Sequence, residues 1–348
     1  MKRNDEVYTG LNSKKEAHAY HEAIKKSWMA KNIIPVEKKR FAFIEKIIKF
    51  FIMIILKIVT PRQSWKNKSK TEELINRTYT KFTNKDFAFI PISTAFYFLV
   101  SFVPIITTVD LLLMLIKDYD KVFLDVILAK IIPGAKSLLS IDVKATKYTQ
   151  NVAIIILILA STWLASAGFS RFVYSQNYIY NHEHLGNWFT NRLKGFMIML
   201  SVALYMFLTL ALYIFFYNAF TAKLSEYHKN IYFYITFSVF LFITFYLGFI
   251  LLYKITPNFK LPWNLVLPGA MITTVPLWIF FLIFGYLTSL IDYNKYGVIG
   301  IFMYIAMLVS YMSYFMYLGI IANEAYYKTY YSSYTVSKKS IFFGKMKF

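Results

Sequence analysis

Six long apolar stretches dominate this chain of 348 residues. Each stretch has at least the ~20 residues that an α-helix needs to cross about 30 Å of hydrocarbon. Because none alternates apolar and polar residues as a membrane β-strand does, the sequence predicts membrane-spanning helices. The stretches are Ala88–Ile116, Val152–Val173, Leu193–Phe220, Ile231–Tyr253, Leu265–Ile291 and Val298–Ala322.

The composition agrees with a membrane protein. The chain is 57% hydrophobic, whereas soluble domains average about 45–50% apolar residues. It contains no cysteine, which excludes disulfides, thiolate catalysis and cysteine-ligated metal sites. The class predicted is therefore an all-α integral membrane protein.

The distribution of basic residues predicts how the chain is threaded. Most of the 39 lysines and arginines lie before the first stretch, after the last one and in alternate connections. Short connections rich in lysine and arginine stay in the cytoplasm. We therefore expect six crossings, cytoplasmic N- and C-termini, and contacts with membrane lipids through their anionic headgroups. No nucleic-acid partner is expected, because no nucleic-acid-binding module accompanies the net charge of +21.

The predicted organisation has five segments. Residues 41–60 are apolar but contain Glu45, Lys46, Lys49 and Lys57 and are flanked by basic residues on both sides. This pattern favours an amphipathic helix lying on the membrane surface, with a seventh crossing as the alternative. The other segments are a basic cytoplasmic region (1–40), a basic linker (61–87), the six-helix domain (88–325) and a basic cytoplasmic tail (326–348).

The first stretch carries prolines at 91 and 104 together with hydroxyl groups, among them Tyr97 and Ser101. Proline frees a backbone carbonyl inside a helix, and a nearby hydroxyl can satisfy it. A kinked, polar-faced helix suits a cavity or a moving part, although a kink held by neighbouring helices has the same sequence. Tyr97, Ser101 and Pro104 are candidate cavity residues on this basis.

Four further polar residues are candidates in or just after the first two stretches. Asp110 is a carboxylate within a predicted span, where it could bind a proton or a cation, or be hydrated near the interface. Arg171 could bind a phosphate at the inner face, or extend to the interface as helix-end arginines commonly do. Ser166 precedes Arg171, and Asn177 follows it in a polar, aromatic segment.

Glycines indicate packing rather than chemistry. Gly269 and Gly319 lie where small residues would let two membrane helices approach closely, and Gly297 and Gly300 lie where the chain turns back into the bilayer. The histidine pairs His18/His21 and His182/His184 lack evident further metal ligands. No cofactor, no metal and no enzyme motif is predicted.

Several short motifs, in this order, resemble the YihY/BrkB family of bacterial inner-membrane proteins over about residues 80–325. They are Ala95-Phe96-Tyr97 with Ser101 and Pro104, Ile132-Pro133, Trp163 with Ala165-Ser166 and Asn177, Arg192-Leu193, Tyr253-Lys254 with Pro257, Leu267-Pro268-Gly269-Ala270, and Tyr296-Gly297. The resemblance implies six membrane helices with both termini in the cytoplasm.

The end of the sixth stretch departs from the family pattern Gly-Ala-Glu-Leu-Asn. Here Gly319 is followed by Ile320-Ile321-Ala322-Asn323-Glu324, so that Ile321 occupies the position of the family's carboxylate. Asn323 and Glu324 are candidates on this basis, and Glu324 is the residue that would substitute for that carboxylate.

The family resemblance suggests an envelope or lipid-related transport function. We therefore expect a transporter or lipid-translocating protein of the bacterial plasma membrane, with an unknown substrate that passes between the first, second and sixth helices. An envelope-assembly scaffold is the alternative, and a nuclease, which some relatives were once labelled, is less favoured. A homo-oligomer is compatible with the sequence.

Overall fold

A computed structural model describes residues 42–131, 147–222, 225–290 and 297–338 of the chain. These residues form helices and short connections, with an isolated antiparallel bridge between Phe259 and Ser337. The chain divides into two units, residues 1–50 and 51–348. The predicted all-helical class is confirmed.

The described part of the first unit is the beginning of helix α1 (Ala42–Val59), where Glu45 and Lys49 form an ion pair of 2.6 Å. In the second unit, α1 buries Leu56 and exposes Ile55 and Ile58. A helix therefore exists where residues 41–60 predict one. Because of its charged residues α1 is not among the helices apolar enough to cross a membrane, and its place on the membrane surface stays a prediction.

The segment 61–87, expected to be a linker, is largely helical. Pro61 follows α1, a 3-10 turn spans Arg62–Lys66, and helix α2 spans Lys68–Phe82. The Asn67 side chain begins α2 by accepting a hydrogen bond from the Lys70 backbone, as N-cap residues do. Although α2 is polar overall, it is amphipathic, and it buries Leu74, Ile75 and Thr78.

Each of the six apolar stretches coincides with one long helix. Most of these helices extend into the polar flanks, because backbone hydrogen bonds continue where hydropathy falls. Their bounds are α3 Lys85–Leu113, α4 Lys147–Ile179, α5 Trp188–Thr221, α6 Glu226–Ile255, α7 Leu267–Leu290 and α8 Gly297–Tyr330. Helix α8 thus continues beyond residue 325, where the tail was expected to begin.

Four segments within the described residues are long and apolar enough to span a membrane. They lie in α3, α5, α6 and α8, which makes this a membrane-type protein; six crossings and the orientation of the termini stay predictions. The segments are Phe89–Leu113, Trp188–Thr221, Tyr227–Ile255 and Ile299–Tyr330.

The long helices of the second unit form a ring in the described part of the chain. Each helix from α3 to α8 packs against the next one, and α8 returns to α3. Helix α2 packs against α8. Three connections lie at the same end of the ring, which we call the polar end: residues 180–187, 256–266 and 331–338.

The opposite end of the ring carries a π-helical segment, Val122–Leu128, between short α-helical turns. Its Phe123, Ile127 and Leu128 are buried. A π-helix has i→i+5 backbone hydrogen bonds and is wider than an α-helix. The loop proline Pro133 and residues 291–296, the turn expected before Gly297, lie outside the described residues. Gly297 itself begins α8, with Gly300 in its first turn.

Candidate functional site

Helices α7 and α8 touch backbone to backbone at Gly269 and Gly319. A methyl group on Gly319 would overlap the Gly269 carbonyl and the Thr273 hydroxyl. Next to this contact, the Asn323 side chain accepts a hydrogen bond of 2.7 Å from the Gly269 backbone and donates one to the Val266 carbonyl. Gly269 and Gly319 thus lie at a point of close approach between the two helices, and Asn323 joins the same pair.

Glu324 is fully buried, yet it is paired with two cations from helix α2. The Arg77 guanidinium lies 3.0 Å from its Oε1, and the Lys81 ammonium lies 3.2 Å from the same oxygen. Burial lowers the pKa of Lys81, whereas the carboxylate of Glu324 opposes that change. The site therefore joins α2 to α8 through a charged contact between residues far apart in the sequence.

Tyr180 adds a hydroxyl near this carboxylate. Its ring is fully buried against Phe259 and Tyr327. Burial, together with the charge of Glu324, raises the pKa of Tyr180 well above its ordinary value. Its hydroxyl has no hydrogen-bond partner in the described part of the chain.

Sequence reasoning missed Tyr180, Arg77 and Lys81 as neighbours of Glu324. One signal was available: Arg77 and Lys81 are four residues apart, which places them on the same face of an amphipathic helix.

Asn177, another candidate, organises the connections at the polar end. Its Oδ1 accepts a hydrogen bond of 2.9 Å from the Asn258 backbone, and its carbonyl accepts one from the His182 backbone. Its Nδ2 is buried without a partner among the described residues. This pattern is that of a residue holding two connections together.

Ser101 and Ser166 lie where α3 meets α4. The Ser101 hydroxyl is 2.7 Å from the Tyr97 carbonyl and 2.8 Å from the Ala165 carbonyl, so that it links the two helices. The Ser166 hydroxyl donates to the Trp163 carbonyl within α4. Pro104 is half-buried in α3, one turn beyond Ser101, and its carbonyl accepts from Thr108.

Tyr97 and Arg171 are brought together on the surface of the ring. The Arg171 guanidinium carbon lies 5.5 Å from the centre of the Tyr97 ring, which is within cation–π range. Arg171 is exposed, so that its charge is available to a ligand at this surface.

Asp110 lies apart from the other candidates. It is thirteen residues from Tyr97 on α3, or about 20 Å along the helix. Its side chain is buried, and its Oδ1 has no hydrogen-bond partner in the part of the chain that the structure describes. The candidates therefore form several separate sites rather than the lining of one cavity.

Within the ring lies a partly open cavity of about 340 Å³, lined mostly by apolar side chains of α3, α5, α6 and α8. Phe123 and Ile127 of the π-helical segment contribute to its lining. None of the residues predicted to line a cavity lines this one. Its lining includes Phe98, Phe102, Val202, Phe237, Phe245 and Met312, with Ser201, Tyr205, Thr209 and Thr244 as polar members.

No group of three or more histidine or acidic residues could hold a metal ion in the described residues. The rings of His182 and His184 are 6.2 Å apart, and His182 contacts Thr335 at 2.7 Å. His182 thus contributes to the packing of residues 331–338.

No curated protein and no solved structure matched the chain. The sequence model of a family described as virulence factor BrkB matches residues 78–340, which include all six long helices. The motifs that carry the resemblance lie in the same range, and the chain therefore belongs to the YihY/BrkB family.

Proposed function

We propose that the protein is a non-enzymatic transporter that moves a lipid-like molecule across the plasma membrane of a bacterium. The observation that carries this proposal is the cavity of about 340 Å³ inside the ring of helices. Ligand pockets usually range from about 300 to 1,000 Å³ and are mostly apolar, with a few polar groups that orient the ligand.

The lining of the cavity favours an acyl chain over an ion or a sugar. Phenylalanine, leucine, isoleucine and methionine side chains dominate it. Such a surface cannot replace the water of a charged or polyhydroxylated solute, whereas it solvates hydrocarbon well. The hydroxyls of Ser201 and Thr244 are polar points at which an ester or headgroup could be held.

The threading that we propose places the polar end in the cytoplasm. Lys81, Lys194, Lys254 and Lys338 lie there, which supports this orientation through the positive-inside rule. Asp110 would then lie towards the outer face, where we propose that it binds a proton or a cation.

Reconstitution in liposomes tests the proposal. Val202 lines the cavity, whereas Leu204, two residues later in α5, is exposed. We expect V202W to fill the cavity and abolish most of the flux of a labelled phospholipid, and L204W to leave the flux unchanged. No flux in the wild type, or equal flux in both variants, would contradict the proposal and favour the envelope-assembly scaffold.

A further inference from the structure

Two arginines from different helices lie at the same level on the outer surface of the ring. Gly195 of α5 packs on the backbone of Ser166 and Ser170 in α4. Because the short connection 180–187 makes these helices antiparallel neighbours, this register brings Arg192 level with Arg171. Both lie closer to the polar end than to the opposite end.

The surroundings of Arg192 resemble those of Arg171. Its guanidinium carbon lies 5.2 Å from the centre of the Trp163 ring, and its Nη2 donates a hydrogen bond of 2.7 Å to the Trp163 carbonyl. It also interacts electrostatically with Tyr97, the residue that Arg171 covers. Tyr97 thus interacts with both arginines, and Trp163 contacts Arg192.

Neither arginine has a carboxylate partner in the described part of the chain. The ion pairs found there involve other residues: Lys49–Glu45, Arg77–Glu324, Lys81–Glu324 and Lys121–Asp118. The Nε of Arg192 is buried and makes no hydrogen bond with a described residue. Two cations near each other at a membrane surface repel unless an anion lies between them, and lone charges in lipid are costly.

The environment indicates which anion fits. Trp163 is 42% exposed and Arg171 is exposed, and the exposed Tyr174 and Tyr178 continue the stripe of Arg171 towards the polar end. Exposed aromatic residues at the ends of membrane spans mark the depth of the headgroups. Tyr174 and Tyr178 lie just beyond the second apolar stretch, whereas Trp163 lies near its middle. Guanidinium groups bind phosphate through paired, charge-assisted hydrogen bonds.

We propose that Arg171 and Arg192 form a binding site for the phosphate group of a membrane lipid, with Tyr97 and Trp163 as its aromatic walls. The site is separate from the cavity, because Phe98, Phe169 and Ile198 face the cavity from the same helices while Tyr97, Arg171 and Arg192 lie on other faces. It does not depend on lipid translocation.

Lipid retention tests this site without any measurement of flux. The protein is purified in detergent with a mixture of phosphatidylglycerol and diacylglycerol of the same chain length, and the bound lipids are counted by native mass spectrometry. We expect the wild type to retain phosphatidylglycerol and not diacylglycerol. R171A should lower the affinity for phosphatidylglycerol about tenfold, as expected for the loss of a charge-assisted pair of hydrogen bonds.

Two further variants guard against misfolding and against a general effect of charge. The double variant R171K/R192K keeps both charges but loses the paired geometry, and it should also weaken retention. K260A removes an exposed lysine from a connection at the polar end and should retain lipid as the wild type does. Retention equal to wild type in both R171A and R171K/R192K would overturn the proposal.

Competition with inorganic phosphate distinguishes a lipid headgroup from a free phosphate ion. We expect millimolar phosphate to leave phosphatidylglycerol bound. Complete displacement in the wild type would show that the site binds free phosphate, and would overturn the assignment to a lipid.

Discussion

Glu324 and Asp110 are both buried carboxylates on long helices of the same ring, yet their surroundings differ. At the polar end, Glu324 accepts contacts from Arg77 and Lys81. Towards the opposite end, Asp110 has an oxygen without a partner among the described residues. A buried charge is tolerated when it is paired, and it otherwise tends to be neutralised or to face water or a ligand.

The comparison separates a structural carboxylate from a candidate functional one. The paired Glu324 has the geometry of a joint between α2 and α8. Two hydrogen bonds reinforce this joint: one joins the Tyr326 and Ser64 hydroxyls, and in the other the Tyr330 hydroxyl donates to the carbonyl of Ser64, which lies just before α2. Asp110 has no such role in the described residues, and this leaves it available for a proton or a cation.

Removing both cations from Glu324 should have the largest effect. R77A/K81A would leave a fully buried carboxylate unpaired. Breaking a buried ion pair by removing one side costs about 3–5 kcal/mol, and partial exposure of these two cations favours the lower end of that range. The free energy of unfolding in detergent, measured by chemical denaturation, checks this expectation.

A third substitution serves as the control for that experiment. E324Q in the R77A/K81A background removes the unpaired charge and should recover much of the lost stability. If R77A/K81A is as stable as the wild type, the contact does not hold α2 on α8, and the contrast with Asp110 fails.

Substituting Asp110 should change the stability little but affect transport. D110N removes a charge that lacks a partner among the described residues, so that the free energy of unfolding should change by no more than about 1 kcal/mol. If Asp110 binds a proton or a cation during transport, the same variant should lose flux in liposomes. Full flux in D110N, or a loss of stability as large as that of R77A/K81A, would remove the difference between the two carboxylates.

The smallest effect concerns pH at the polar end. Burial lowers the pKa of His182, and among the groups around it His184, Lys194 and Lys328 lower it further while Glu183 raises it. Because the unfolded chain then binds a proton more readily than the folded one, stability should fall as the pH drops through the ordinary histidine range near ~6.5.

Hydrogen exchange of residues 331–338 measures this effect, since His182 contacts Thr335. We expect faster exchange at pH 5.5 than at pH 7.5 in the wild type, and a smaller difference in H182Q. An equal difference in both proteins would assign the effect to other groups.

The sequence is informative about the long helices because hydropathy is a local property. Every apolar stretch predicts a helix where the structure has one, and the motifs predict the family that the comparison confirms. The differences concern polar helices: α2 has the composition of a linker, and the last turns of α8, beyond residue 325, have that of a tail. Both are helical because they pack against each other.

The candidate sites are harder to predict for the same reason. Glu324 is recognisable as unusual, but its partners Arg77 and Lys81 are more than 240 residues away in the chain. Arg192 appears in the sequence only as part of a short motif, and its neighbour Arg171 becomes evident from the register of α4 and α5. A cavity whose lining comes from several helices has no signature in any one of them.

The backbone contact between Gly269 and Gly319 limits how this protein can move. At this one contact no side chain separates the two backbones, so that little space is left there for a sliding motion, and Asn323 holds the same pair by hydrogen bonds. We therefore expect these two helices to move together. We expect a lateral opening of the ring to occur at another boundary, such as that between α5 and α6. There the rings of Tyr213, Phe233 and Phe237 pack against one another and can rotate.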